Sequence, residues 1–484
     1  MRGFRHFISA IHPKLADMLA LRPASGTLVP TMVRLGSISE FTGVQVRPAE
    51  PILIGSLMTD MPDTHFDRRR YDLDWLRVIA FAILIFYHIG MFYVTWDWHV
   101  KSVHAGPYAE WAMRVVNPWR LSLLFFISGV AARFAADKMT AGTFARKRLR
   151  RLGIPILFGM AVIVAPQSYF ELVESGEFVG GFARFWPQYL DPASSFSVTT
   201  PTWNHLWYVV YLLVYCLMVA PFAGVIARLM AGNGEAITKV IFSGRLAIVA
   251  VALLPALPHL VYRTVLDPLF PTTHDLTSDW ANHAHSFTIF LTGFFLAKDR
   301  SFWQAIDRAR YVTAGASLIL IVFLTPLWAD FEALFMDGGP YETWIWPVRY
   351  ARVLYAWLVI AALLGWGQRL LNRPSAALSY MTVAIFPWYI LHQTLIVAAG
   401  YWLTRQDLSA PLEFILVCTA TIGGCLIIHE VFIRRIGFVR PLFGVPSKAS
   451  DASPTKPVVS QTAPPTDKAT SPHANKKPDG VTSS

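Results

Sequence analysis

Arg77 and His88 stand eleven residues apart inside the first long apolar run of a 484-residue chain. Eleven residues make about three helical turns, so both side chains project from nearly one face, roughly 16 Å apart along the axis. Ionisable groups inside a membrane span cost about 2.5–3.5 kcal/mol each on insertion scales, which makes them functional candidates by default. Neutral imidazole is suited to accept a proton near neutral pH. Arg77 has a plainer use, because Asp74 lies one turn earlier and can pair with it while the stem snorkels to the headgroups. His88 has no carboxylate one turn away and reads as an unpaired imidazole, either a base or a helix–helix hydrogen-bonding group.

Other polar groups recur near the ends of apolar runs. Phe125-Phe126-Ile127-Ser128-Gly129 offers small residues that let another helix pack closely. The basic segment 144–155, FARKRLRRLGIP, reads as a loop. It is an anchor of orientation or a phosphate clamp, since arginine forks match phosphate oxygens. Asn204-His205-Leu206-Trp207-Tyr208 opens a later run, where aromatics usually anchor at the interface and His205 can sit in solvent. His283 and His285 diverge on a helix, which disfavours a shared metal; no metal site is expected. Arg349 and Arg352 sit one turn apart at a run's charge-poor end, so they can converge on one carboxylate or pair with Asp330, Glu332 or Glu342. His392 lies mid-run in FPWYILHQTLI, beside Trp388.

These residues need an apolar scaffold, and the composition supplies one. The chain is 54% hydrophobic and 15% charged, against about 25% charged for soluble domains, and its mean hydropathy is +0.43. Apolar runs of about 20 residues, the length that crosses some 30 Å of hydrocarbon, predict an all-α polytopic membrane protein. Ten helices are expected near 74–95, 119–136, 153–170, 204–227, 246–262, 281–297, 311–329, 347–367, 378–402 and 411–433. With the N-terminus inside, the inner segments hold 23 Lys and Arg and the outer ones 5. That bias places both termini in the cytoplasm and accounts for the net charge of +11 without nucleic acid. The outer segments instead carry Glu171, Glu174, Glu177, Asp275, Asp279, Asp330, Glu332 and Asp337. Cys216, Cys418 and Cys425 all lie in apolar runs and make no CxxC pair. Residues 1–60 read as a poorly ordered extension, of the kind an early start assignment adds. The membrane domain is expected over 61–440, and a disordered cytoplasmic tail over 446–484, where large apolar groups are scarce.

Taken together, the Arg77-x10-His88 spacing, FFISG at 125–129, Arg148 and Arg151 ahead of Leu and Pro, and YILHQTLI at 389–396 resemble the acyltransferase-3 family of integral-membrane acyltransferases. The resemblance covers roughly residues 70–435, and within the family RRYDLDWLRV, YHIGMFY and NHLWYVVYLL most resemble the branch that succinylates periplasmic glucans. One departure is the stretch Tyr208–Tyr211, where lipopolysaccharide- and peptidoglycan-acetylating members carry a Glu. The resemblance implies a bacterial inner-membrane O-acyltransferase that moves an acyl group, succinyl in this branch, from cytosolic acyl-CoA to glucan hydroxyls. It implies His88 and Arg77 as the catalytic pair. Arg148, Arg151 and Ser128 would face the donor, and His205, Trp207, Arg349, Arg352 and His392 the acceptor and acyl group. No permanently bound cofactor is expected; the partners are acyl-CoA, a glycan and the lipid bilayer. The alternatives are an acetyltransferase of another surface glycan, or a transporter, although no inverted repeat is evident.

Overall fold

The computed structural model describes residues 69–329, 339 and 342–446. The expected extension at 1–60, the tail beyond 446, and Asp330, Glu332 and Asp337 lie outside the described residues. Within them every regular element is helical, with no strand. Hydrocarbon cannot hydrogen-bond the backbone, so an apolar run satisfies its own N–H and C=O groups by coiling.

Nine described helices are long and apolar enough to cross a membrane. They are α1 Tyr71–Tyr93, α2 Pro107–Ala136, α3 Ala141–Glu174, α4 Asn204–Ser243 and α5 Ala247–Val265, then α7 Arg300–Trp328, α8 Glu342–Leu370, α9 Ala376–Leu403 and α10 Ala410–Ile433. Between α5 and α7 the sixth expected span forms α6, Trp280–Leu296. Its 17 residues reach about 25 Å, at the short end of what spans a bilayer. Large apolar side chains face outward on the bundle, among them Phe86, Ile319, Val322 and Ile415. The chain is a multi-pass α-helical membrane protein.

Four helices run well past the sequence expectation: α2 begins at Pro107 and α7 at Arg300, and α3 and α4 are extended too. The basic segment 144–155 is not a loop. Thr140 caps a helix by accepting a hydrogen bond from the Thr143 backbone N–H, and Arg and Lys, good helix formers, carry the coil onward into α3. There it widens into π-type turns at Leu149–Gly153 and Gly159–Ile163. Likewise α4 runs on to Ser243, with a break in helical geometry at Gly232.

Tight pairings hold the bundle: α7 lies along α8, α6 along α2, α10 along α9, and α9 along α1. The α2–α6 crossing is made of glycine. A Cβ on Gly129 would stand 2.0 Å from the Phe290 carbonyl oxygen, and one on Gly293 would stand 2.1 Å from that of Phe126. The small residue in FFISG thus does what its size permits, bringing two backbones into contact. Around this crossing Phe125, Phe126, Phe290, Phe294 and Trp303 form part of the buried core.

Candidate active site

A cavity of about 720 Å³ opens between α1, α2, α4, α5, α6, α8 and α9 and the segments that join them. His88, His205, Trp207 and Arg352 line it. Arg77, Ser128, Arg148, Arg151, Arg349 and His392 do not. The residues expected to act together therefore divide into a group at the cavity, a group behind its wall and a basic group elsewhere.

The geometry of His88 corrects the expectation that it is unpaired. Its Nδ1 lies 2.7 Å from His392 Nε2, with the two rings stacked 5.0 Å apart at 11°. His392 is fully buried, and its Nδ1 lies 2.6 Å from the Tyr389 carbonyl oxygen. A carbonyl only accepts, so His392 carries its proton on Nδ1 and presents a lone pair at Nε2. His88 must then donate from Nδ1, which leaves the lone pair of neutral His88 on Nε2. The tautomer follows from the partners, and it is the tautomer a base needs.

His205 was expected at the surface, where a solvated position was open to it. Instead it is 6% exposed. The tight turn Asn204–Leu206 tucks it inward beside the other two imidazoles, with ring centroids 5.1 Å from His392 and 6.5 Å from His88. His205 Nε2 donates to the Ile390 carbonyl at 3.1 Å, and Gln167 Nε2 approaches its Nδ1 at 3.4 Å. Tyr389 donates its hydroxyl to the His205 carbonyl. Both ring nitrogens of His205 are thus engaged, and His88 Nε2 is left for chemistry.

A chain of amides extends the cluster. Fully buried Gln167 accepts from Asn204 Nδ2 and Gln393 Nε2, each at 3.1 Å, and donates to Thr394 Oγ1 at 2.7 Å. Gln393 Nε2 also lies 2.9 Å from His99 Nε2, and His99 Nδ1 lies 2.6 Å from Glu171 Oε2. His99 lies outside the apolar runs and meets Glu171 from 72 residues away, so neither signalled itself in sequence. Gln167 did carry a signal, as a polar amide inside an expected span.

Behind and beyond the cavity the remaining candidates take other partners. Ser128 Oγ lies 2.8 Å from the hydroxyl of Tyr208, which lines the cavity. Arg77 donates to Asp74 at 3.1 Å, the pairing its spacing allowed. Arg151 feels the positive charges of Arg148 and Arg77, so the three arginines form one basic cluster. Trp207 stacks on His274 at 4.4 Å. Arg349 and Arg352, expected to share a face, each show a contact of their own. Arg352 Nη2 donates to Asn117 Oδ1 at 2.8 Å, whereas Arg349 lies over Trp346 at 5.0 Å.

On the wall formed by α5 and α6, His259 Nδ1 meets His285 Nδ1 at 2.9 Å, and His285 Nε2 lies 3.1 Å from Asp267 Oδ1. Arg263 also pairs with Asp267. Burial alone would raise the Asp267 carboxyl, but the His285 hydrogen bond and the charges of Arg263, His285 and Arg352 outweigh it and hold the group below the ordinary carboxylate range. Asp267 is therefore an ionised wall residue. Asp279, expected in an outer loop, is fully buried; it accepts from the Tyr211 hydroxyl at 2.6 Å and from the backbone of Thr273 and His274.

An enclosed imidazole with a fixed lone pair, beside a polar cavity within an α-helical membrane bundle, is apparatus for moving a proton from a bound hydroxyl. Residues 70–430 match the family model of the acyltransferase domain, and the chain belongs to that family. It is a membrane O-acyltransferase. Among curated proteins the chain is similar to glucans biosynthesis protein C of Escherichia coli O139:H28 and of Escherichia coli strain K12. Each is 24% identical over 401 residues, covering 80% of this chain and 98% of the relative. No solved structure matches the chain.

Proposed function

We propose that the enzyme transfers an acyl group, succinyl, from acyl-CoA to a hydroxyl of a periplasmic glucan, across a bacterial inner membrane. The fixed tautomer of the His88–His392 pair carries this proposal. The name of the relatives supports a glucan as acceptor, and the excess of Lys and Arg at one face supports donor entry from the cytoplasm. Arg148 and Arg151, with Arg77 beside them, supply charge for the donor phosphates. The acceptor enters from the end where Trp98, Trp203 and His274 line the cavity, and Trp207 and His205 help hold it.

In the reaction His88 Nε2 takes the proton of the acceptor hydroxyl as its oxygen attacks the thioester carbon. A C–O bond forms and the C–S bond breaks. The departing thiolate recovers the proton from His88, leaving ester and free thiol. His392 stays neutral and supports the positive ring of His88 while it holds the proton.

The test is mass spectrometry of periplasmic glycans from cells with the gene, without it, and with His88→Ala. The wild-type gene is expected to add the succinyl mass, and His88→Ala to lower its rate of appearance about 10²- to 10⁴-fold. An acetyl mass would correct the donor. Activity within threefold of wild type in an inserted His88→Ala protein would remove His88 as base.

A further inference from the structure

Three guanidinium groups from three helices line the active cavity: Arg120 of α2, Arg263 of α5 and Arg352 of α8. Asp267 is the one carboxylate residue lining it among the described residues. With the histidines neutral, the wall holds an excess of two positive charges. Arg352 is repelled by both Arg263 and Arg120, with Asp267, Tyr87 and its hydrogen bond to Asn117 set against this. Like charges gathered in a low-dielectric site oppose folding unless something negative joins them.

Arg120 has the least compensation. It is 6% exposed, and its Nε and Nη1 have no hydrogen-bond partner among the described residues. Its guanidinium carbon lies 3.4 Å from the centre of the Tyr87 ring, a cation–π contact. Asn117 holds the arrangement together, donating to the Tyr87 hydroxyl at 2.8 Å while accepting from Arg352. Arg263 Nε is likewise unpartnered among the described residues. Buried guanidinium nitrogens are expensive to leave unmet, and a planar fork matches a carboxylate. Arg120 also acts electrostatically on His88, so the charged wall adjoins the base.

We propose that Arg120, with Arg352 and Arg263, forms a receptor for the free carboxylate of a dicarboxylic acyl group, and that Arg120 sets the preference for charged over neutral acyl chains. The inference rests on the cavity being the acyl-transfer site. The carboxylate takes no part in bond making. It enters ionised, leaves ionised, and fixes the far end of the acyl chain while the thioester carbon meets the acceptor oxygen.

Two measurements test this on the full-length protein in detergent. The first is thermal unfolding with succinate and with succinamide, its uncharged match. Succinate is expected to stabilise the wild type and succinamide not; equal effects would overturn the proposal. The second is transfer from succinyl-CoA and acetyl-CoA to a neutral glucan. Arg120→Gln is expected to lower the succinyl-to-acetyl rate ratio about ten- to a hundredfold, the scale of one lost charge-assisted hydrogen bond. Arg120→Lys should restore part of the ratio. An equal loss with both donors would leave Arg120 a structural role and overturn the proposal. If Arg120→Gln does not fold, Arg352→Gln and the wild-type binding comparison decide. Should the wild type bind succinate selectively yet transfer neither acyl group, the anion receptor stands and the acyl-CoA reaction falls.

Discussion

His392 never reaches the cavity, yet it decides which nitrogen of His88 is free. It is a positioning residue, so its loss should differ in kind from the loss of the base. With His392→Leu, His88 Nδ1–H loses its acceptor and the ring can turn or change tautomer. His392→Gln keeps an acceptor oxygen in reach. We expect kcat for His392→Leu to fall more than tenfold with KM little changed, and His392→Gln to recover a measurable part of the loss. Equal rates for the two variants would reduce His392 to a packing residue. Sequence carried both members of this pair plainly, because an imidazole inside an apolar run is costly and conspicuous. What it lacked was the partnership, since 304 residues separate the two rings and nothing local to either announces the other. His205 misled for a related reason: beside Trp and Tyr at the start of a run it looked interfacial, until one tight turn drew it inside. Arg120 was hidden by its neighbourhood, at the edge of a span where arginine is usually a headgroup anchor.

Helix positions were legible at the level of apolar runs, and helix ends were not. The basic stretch at the start of α3 has charges enough for a loop but no residue that stops a helix before Gly153, and so it coils. The α2–α6 crossing is where one sequence motif became one measurable contact. Gly129→Ala sets a methyl against the Phe290 backbone, and Gly293→Ala sets one against the Phe126 backbone. Backbone cannot rotate away as a side chain can, so each substitution must spread the helices. Each is expected to cost at least about 1–3 kcal/mol, the range for overpacked sites, read as a lower midpoint of thermal unfolding in detergent. Both act on one contact, so the double variant should lose less than the sum of the two. Full additivity, or no loss at Gly129→Ala, would mean that the close approach does not hold in the membrane.

For the molecule as a whole, the distribution of charge makes a topological prediction. A cytoplasm-active reporter fused after residue 446 should be active, and one inserted in the 267–279 segment should be silent. A periplasm-active reporter should give the opposite pattern. The reverse result would exchange the donor and acceptor sides of the proposed reaction. It would leave the histidine cluster, whose geometry owes nothing to the direction of insertion, unchanged. The glycine contact has one more consequence, which concerns motion. Two backbones in van der Waals contact cannot slide past one another without first separating, and separation would open the densest part of the core. Helices α2 and α6 are thus welded into a single strut, and α2 carries Arg120 on that strut. Transporters commonly expose a central site to each face in turn by rocking one bundle against another. A stroke that parted α2 from α6 is closed to this bundle, so any rearrangement carries the two helices together and Arg120 keeps its place against α6.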